Sequence, residues 1–412
     1  MAFLVFISLM LLYSLVSHRL ERTVFTAPIV FCVAGIFLSL VPSVVNRPLF
    51  TGDILLRLAE VALVLILFND ASRIKLIVLR RYEHLPLRLL GIGMPLTICL
   101  GAIVAALLFP QLSIWEAGII ASILAPTDAG LGETIVNSEQ VPGRIRQSIF
   151  IESGLNDGLA VPFLMLFFDI AQEFNEGTTH RLFGFLLEQV GIATVFGIII
   201  GFAGGWLINQ AIKRGWMAES FQQLSLMTLP ILCMLASEPL GGSIFIAAFA
   251  AGIVIQKGYK DVNVNIIEFT RNWGQLLNLF VFFVFGLIAG PVLKDITWPF
   301  VLYAIMSLTI IRMLPVALSL SKTGLSRATV LFIGWFGPRG LASIVLGLIF
   351  FLKEAELPGE PLIKLVLIST ILLSIFAHGL SALPGIHLYA KKIKKLDASA
   401  PELQEIPEKP YC

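Results

Sequence analysis

Long apolar runs follow one another along the whole chain, separated by short stretches rich in charge, Pro and Gly. At about 20 residues per crossing they predict about thirteen membrane helices. These lie over residues 1–16, 28–44, 54–68, 87–109, 115–136, 147–170, 182–212, 221–237, 243–256, 273–289, 298–320, 328–352 and 362–388. The first run has no basic stretch ahead of it and no small-residue cleavage site behind it, so it is read as a membrane helix rather than a signal peptide. Gly197, Gly201, Gly204 and Gly205 give the seventh run the small-residue spacing that permits close helix contact.

Three of these runs are interrupted by polar residues. The sixth contains Phe150-Ile151-Glu152-Ser153-Gly154-Leu155-Asn156-Asp157-Gly158, with two carboxylates, an amide and a hydroxyl. An Asp at bilayer depth costs roughly 2.5–3.5 kcal/mol on insertion scales, so such acids line a polar pathway or pair with a base. The fifth run carries Ala125-Pro126-Thr127-Asp128-Ala129-Gly130, and the twelfth Gly334-Trp335-Phe336-Gly337-Pro338-Arg339-Gly340. Both read as broken helices. Their order differs by an odd number, so they would run in opposite directions, the pattern of inverted repeats flanking a midplane site.

Composition agrees with this pattern: of 412 residues, 57% are hydrophobic and 14% charged, where soluble domains carry about 25% charge. The predicted class is an all-α polytopic membrane protein. Its transmembrane domain would span residues 1–390, with a basic, disordered tail at 391–412. No soluble module is recognisable, which removes nucleotide binding and nucleic acid from consideration, and a lipid bilayer is the implied surroundings. The four cysteines are scattered and support neither a metal site nor a disulfide framework. Alternate loops differ by roughly fivefold in Lys and Arg, with Arg80, Arg81, Arg144, Arg146, Lys213 and the Lys391–Lys395 cluster on one side. That side is the cytoplasmic one, so the N-terminus is placed outside and the C-terminus inside.

Burial penalises the charged form of a carboxyl group, which lets a buried Asp exchange protons near neutral pH. Asp157 would then hold either a proton or a dehydrated monovalent cation, each expelling the other. Ser153, four residues earlier on the same helical face, would add a hydroxyl oxygen. Thr127 and Asp128 would add a hydroxyl, a carboxylate and backbone carbonyls freed by the break. Asn156 cannot carry a second proton, so one acid implies one proton per cation and electroneutral exchange. Glu152 points away from Asp157 and needs a basic partner, Arg312 or Arg339, with Arg312 favoured. Arg339 is also placed to offset helix-end dipoles at the twelfth break. Asp70 ends the third run and would reach the cavity, with Glu60 as the alternative. His378 reads as a packed residue within an apolar helix.

Glu152-Ser153-Gly154-Leu155-Asn156-Asp157-Gly158 resembles the signature of the monovalent cation/proton antiporters, in the Asn-Asp branch that includes bacterial sodium/proton exchangers of the NhaP type. Thr127-Asp128 resembles the unwound stretch of that family's fifth helix and Gly337-Pro338-Arg339-Gly340-Leu341-Ala342 its twelfth. Gly242-Ser243-Ile244-Phe245-Ile246-Ala247-Ala248-Phe249-Ala250-Ala251-Gly252 is similar to bacterial members. The resemblance implies thirteen helices in inverted repeats, a homodimer built by an interface domain, and a core domain that moves against it like an elevator. It implies Asp157 as the ion- and proton-binding acid, Thr127, Asp128 and Ser153 in or beside the sodium shell, and Asn156 as a brace between crossed helices. It also implies a Glu152–Arg ion pair. Phe68-Asn69-Asp70 departs from the Phe-Glu-Gly of some relatives.

The resulting expectation is a secondary antiporter, not an enzyme, that exchanges sodium for protons in a bacterial cytoplasmic membrane and uses no cofactor, with lithium as a further candidate cation. Potassium is the alternative cation. A cation channel would need a continuous pore. An intramembrane serine protease would need Gly two residues before Ser153, where this chain has Ile151.

Overall fold

The computed structural model describes residues 2–20, 23–41, 52–73, 84–128, 131, 133–136, 138–172, 179–259, 264–352, 357–397 and 400–403. Among them all regular secondary structure is helical. The helices are α1 (Ala2–Leu20), α2 (Ala27–Ser39), α3 (Gly52–Arg73), α4 (His84–Leu108), α5 (Ile114–Ile123), α6 (Glu133–Val136), α7 (Gly143–Gln172) and α8 (Thr179–Lys213). There follow α9 (Glu219–Ser237), α10 (Ile244–Gly258), α11 (Val264–Ala289), α12 (Trp298–Leu308), α13 (Ile310–Ser319), α14 (Arg327–Trp335), α15 (Leu341–Leu352) and α16 (Glu360–Ile393). Every apolar run falls on one of these helices or on a broken pair. Eight stretches are long and apolar enough to cross a membrane unaided, while α2, α5, α10 and α15 are shorter apolar helices. The protein is therefore a polytopic helical membrane protein.

Two groups of helices pack against each other. In one, α2 and α3 lie on α11, and α10 is sandwiched between α3 and α8. In the other, α4, α5 and α7 pack together, and α12 to α16 close around them. The groups meet where α3 touches α15 and α10 touches α7. Lipid tails are as apolar as leucine, so close packing rather than water exclusion holds such helices together. Gly197 and Gly201 of α8 lie directly on the backbone of Ala247 and Ala251 of α10, where any β-carbon would collide. On the outside, Leu15 and Leu107 each keep 74% of their surface exposed, as suits side chains that face lipid.

The run at 298–320 is not one helix. It bends at Thr309, whose φ of −108° and ψ of −93° end α12. The Thr309 hydroxyl donates back to the Ile305 carbonyl at 2.6 Å, the local competition with helical bonding that Thr introduces. The bend comes three residues before Arg312, whose side chain is buried in the core.

The predicted disorder of the tail does not extend to its described part. Beyond α16, Pro401–Leu403 form a short turn seated on the helix ends. The Glu402 carboxylate accepts from the Ser326 amide at 3.1 Å and from the Thr329 hydroxyl at 2.9 Å, which caps the start of α14. Arg144 of α7 donates to the Pro401 carbonyl at 2.7 Å. These bonds compensate the ordering of a polar segment that composition alone cannot reveal. Residues 398–399 and 404–412 lie outside the described residues.

Burial pushes the Glu402 carboxyl upward, but the hydrogen bonds from Ser326 and Thr329 outweigh it and hold the group below its ordinary value. A depressed acid stabilises its contact above the unfolded value of about 4.3 and loses that contribution as pH falls through the folded one. Amide exchange across residues 324–330, corrected for intrinsic rates, is therefore expected to stay constant from about pH 8 to 5 and to accelerate below about pH 4. Glu402→Gln is expected to exchange faster at neutral pH; equal protection in the two proteins there would contradict the capping role.

Candidate functional site

Pro126 cannot donate a helical hydrogen bond and biases Ala125 away from helix, which ends α5 at this point. Gly337-Pro338 does the same to α14. Breaks inside a membrane leave amides and carbonyls without helical partners, and these must find them within the protein. The two breaks supply each other. The Asp128 amide donates to the Pro338 carbonyl at 2.8 Å. One oxygen of the Asp128 carboxylate, Oδ2, accepts from the Leu341 amide at 2.7 Å and so caps α15, where its negative charge also suits the helix dipole. Gly340 is required beside it, because a β-carbon there would run into that same oxygen.

α7 runs alongside this crossing. Ser153 and Thr127 hydroxyl oxygens stand 3.0 Å apart, and the Asn156 amide nitrogen donates to the Thr127 hydroxyl at 2.8 Å. Asp157 is 7% exposed and its Oδ1 is buried with no hydrogen-bond partner in the protein. The carboxylates of Asp128 and Asp70 are close enough to act on it electrostatically. Gly154 and Gly158 let α7 approach Phe249 and Ile246 of α10. The result is a buried set of two hydroxyls and an amide beside an unpaired carboxylate oxygen, with two further acids in electrostatic range.

The second buried acid of α7 has a different role. Glu152 Oε1 pairs with Arg312 Nη1 at 2.7 Å, both side chains 3% exposed. Arg339 turns instead to the end of the preceding helix, donating from Nη1 to the Gly337 carbonyl at 2.8 Å. Its backbone amide donates to the Ser374 hydroxyl at 2.6 Å.

Thr127, Asp128, Ser153, Asn156 and Asp157 thus come together, and Asp70 approaches them from α3. Glu60 does not join them. It pairs with Arg57 at 3.0 Å, and Arg57 also reaches Glu238 at 2.7 Å. Ala129 and Gly130 of the fifth break lie outside the described residues. Sequence reasoning passed over Ser374, although a Ser and a His one turn apart in an otherwise apolar helix were a visible signal.

The sodium/hydrogen exchanger family, described as transmembrane, matches residues 5–384. A K(+)/H(+) antiporter NhaP2 of Shewanella sp. (strain ANA-3) is 26% identical over 327 residues, covering 78% of this chain and 56% of that protein. A Na(+)/H(+) antiporter of Schizosaccharomyces pombe is 28% identical over 287 residues, covering 65% of this chain and 60% of that one. The chain therefore spans little more than half the length of these curated relatives. The solved structure of the sodium proton antiporter MjNhaP1 from Methanocaldococcus jannaschii superposes with a TM-score of 0.74 over 92% of this chain and 97% of that one, at 19% identity. It shares the fold.

Removing one member of a buried ion pair leaves the other charge uncompensated and costs about 3–5 kcal/mol. Arg312→Ala and Glu152→Ala are each expected to lower unfolding stability in detergent by about that amount. A loss under about 1 kcal/mol in both would mean that the pair is not held as described.

Proposed function

This chain belongs to the sodium/hydrogen exchanger family, and on that premise we propose that it is a secondary antiporter exchanging sodium for protons, one for one, through competition at Asp157. The observation that carries this reading is the buried, unpartnered Oδ1 of Asp157 beside the Thr127–Ser153–Asn156 cluster. A carboxylate so placed binds a proton when the cation is absent and a cation when the proton leaves. Thr127 and Ser153 supply hydroxyl oxygens to the ion, and Asp128 and Asp70 supply negative field. With one of Asp128's oxygens committed to α15, Asp157 is the acid whose proton is exchanged. One proton per cation makes the cycle electroneutral.

A cavity of about 700 Å³ between the two helix groups, bordered by Leu131, Thr134 and Ser138 just beyond the fifth break and by Gly379 and Ala382 of α16, leads towards the site without being lined by the ion residues, and in this reading it is the approach for water and ion. In this reading that end of the molecule faces the cytoplasm, supported by the Lys and Arg excess, with the N-terminus outside; a bacterial inner membrane is the setting, supported by the bacterial relatives. Alternating access follows from the group carrying the breaks moving against the group built on α3, α10 and α11. The latter, with α1, forms the homodimer. Supporting this, α1 buries only Ala2 and Phe6 within the chain.

Potassium is the second reading, favoured by the name of the Shewanella relatives. The Na(+)/H(+) name of the Schizosaccharomyces pombe relative favours sodium.

Everted vesicles or proteoliposomes with an imposed pH gradient test the proposal. Sodium is expected to dissipate the gradient at rates independent of membrane potential, and potassium to do so more weakly. Asp157→Asn is expected to abolish exchange; if it kept wild-type rates, Asp157 would not be the exchanging acid. Ser153→Ala and Thr127→Ala are expected to raise the half-saturating sodium concentration by about 10-fold, the effect of losing one good ligand interaction of about 1.4 kcal/mol. Conductance that scaled with voltage and moved no protons would replace the antiporter with a channel.

A further inference from the structure

The break between α14 and α15 is held from two sides, and only one of them carries the residues assigned above to the ion. On the far side stands α16, whose Ser374 and His378 lie one turn apart on the same face and are 0% and 1% exposed. His378 Nε2 is 2.9 Å from the Trp335 carbonyl oxygen at the end of α14. A carbonyl only accepts, so a bond there needs the hydrogen on Nε2. Nδ1 stands 3.1 Å from the Ser374 hydroxyl and 3.0 Å from the Ser374 carbonyl; with the hydrogen on Nε2 it accepts from the hydroxyl. Ser374 Oγ in turn accepts the Arg339 amide at 2.6 Å, one residue before the break closes into Gly340 and α15.

These bonds form a relay. It runs from the Arg339 amide to the Ser374 hydroxyl, from that hydroxyl to the His378 ring, and from the ring to the Trp335 carbonyl. Its two ends fall on opposite sides of Phe336-Gly337-Pro338. The His378 ring also lies 5.2 Å from the Trp335 indole, whose nitrogen donates to Ser381 at 3.0 Å. The segment so spanned carries the Pro338 carbonyl and, just after it, the Leu341 amide, both of which bond Asp128. Gly337 lies against the Thr127 methyl, where a β-carbon would come within 3.0 Å.

We infer that Ser374 and His378 are positioning residues of the cation site: by bridging the two ends of the α14–α15 break they fix the backbone that places Asp128 and Thr127. This deepens the proposed antiport and rests on it. Neither side chain touches the ion. Their role is that of outer groups that orient the ligands, whose loss commonly weakens metal affinity by about 10- to 100-fold.

The test uses the full chain reconstituted in proteoliposomes, with sodium as the probe, and compares His378→Leu, His378→Gln and Ser374→Ala. Leucine keeps apolar volume and removes both hydrogen bonds. Glutamine offers one donor and one acceptor in roughly the places of Nε2 and Nδ1. His378→Leu and Ser374→Ala are expected to raise the half-saturating sodium concentration by about 10-fold, with a smaller effect on the maximal rate. His378→Gln is expected to recover to within about 3-fold of wild type. In parallel, amide exchange over residues 334–342 is expected to accelerate in the leucine and alanine variants and to be restored by glutamine. If His378→Leu does not fold, Ser374→Ala carries the same two expectations.

Wild-type sodium affinity in the folded leucine or alanine variant overturns the inference, whether or not exchange over 334–342 changes. So does a glutamine variant as impaired as the leucine one, which would make the ring a packing element. If the wild-type protein moves no sodium, the proposed function fails. The amide-exchange arm then decides the brace by itself, unchanged protection over 334–342 overturning it.

Discussion

Inside a bilayer a broken helix is tolerated only if every freed amide and carbonyl finds a partner in the protein, and in this molecule that requirement governs everything near the centre. The Pro338 carbonyl, the Leu341 amide, the Gly337 carbonyl, the Arg339 amide and the Trp335 carbonyl are met by the Asp128 backbone, the Asp128 carboxylate, the Arg339 guanidinium, Ser374 and His378 in turn. None of these partners is adjacent in space by accident of composition. The breaks can exist only because α5, α14, α15 and α16 meet at one depth.

That arrangement also separates the buried acids by the partners they have. Asp128 has one oxygen tied into α15, and Glu152 is neutralised by Arg312 at 2.7 Å. Asp157 alone among the acids of α7's polar stretch keeps an oxygen with no protein partner. Leaving a buried polar atom unpaired costs about 1–3 kcal/mol, more for a charged one. In the proposed cycle the cation or the proton completes it, with the hydroxyls of Thr127 and Ser153 and the amide of Asn156 at hand.

Packing supports this centre by rigid, close contacts rather than by bulk. Gly197 and Gly201 bring α8 onto α10, Gly154 and Gly158 bring α7 onto the same helix, and Gly340 leaves room for the Asp128 carboxylate. The bend at Thr309 carries Arg312 inward to Glu152. The docked turn at Pro401–Leu403 ties the starts of α7 and α14 together at the periphery of the same bundle.

The amino-acid sequence by itself determined the class of the protein, the helical runs, the two breaks and the presence of Asp157, because hydrophobic length, Pro, Gly and intramembrane charge are local quantities with large free energies. It also exposed Thr127, Asp128, Ser153 and Asn156 as polar residues in an apolar setting. Only the tertiary structure decided that Arg312 and not Arg339 meets Glu152, that Glu60 is drawn away to Arg57, that the helix at 298–320 bends, and that Glu402 docks its tail. It alone set His378, which reads as a packed residue, and the unnoticed Ser374 across the two sides of the break. Pairings of this kind depend on distances between segments far apart in the chain, and a sequence read along its length carries the chemistry of each group but not which group lies opposite.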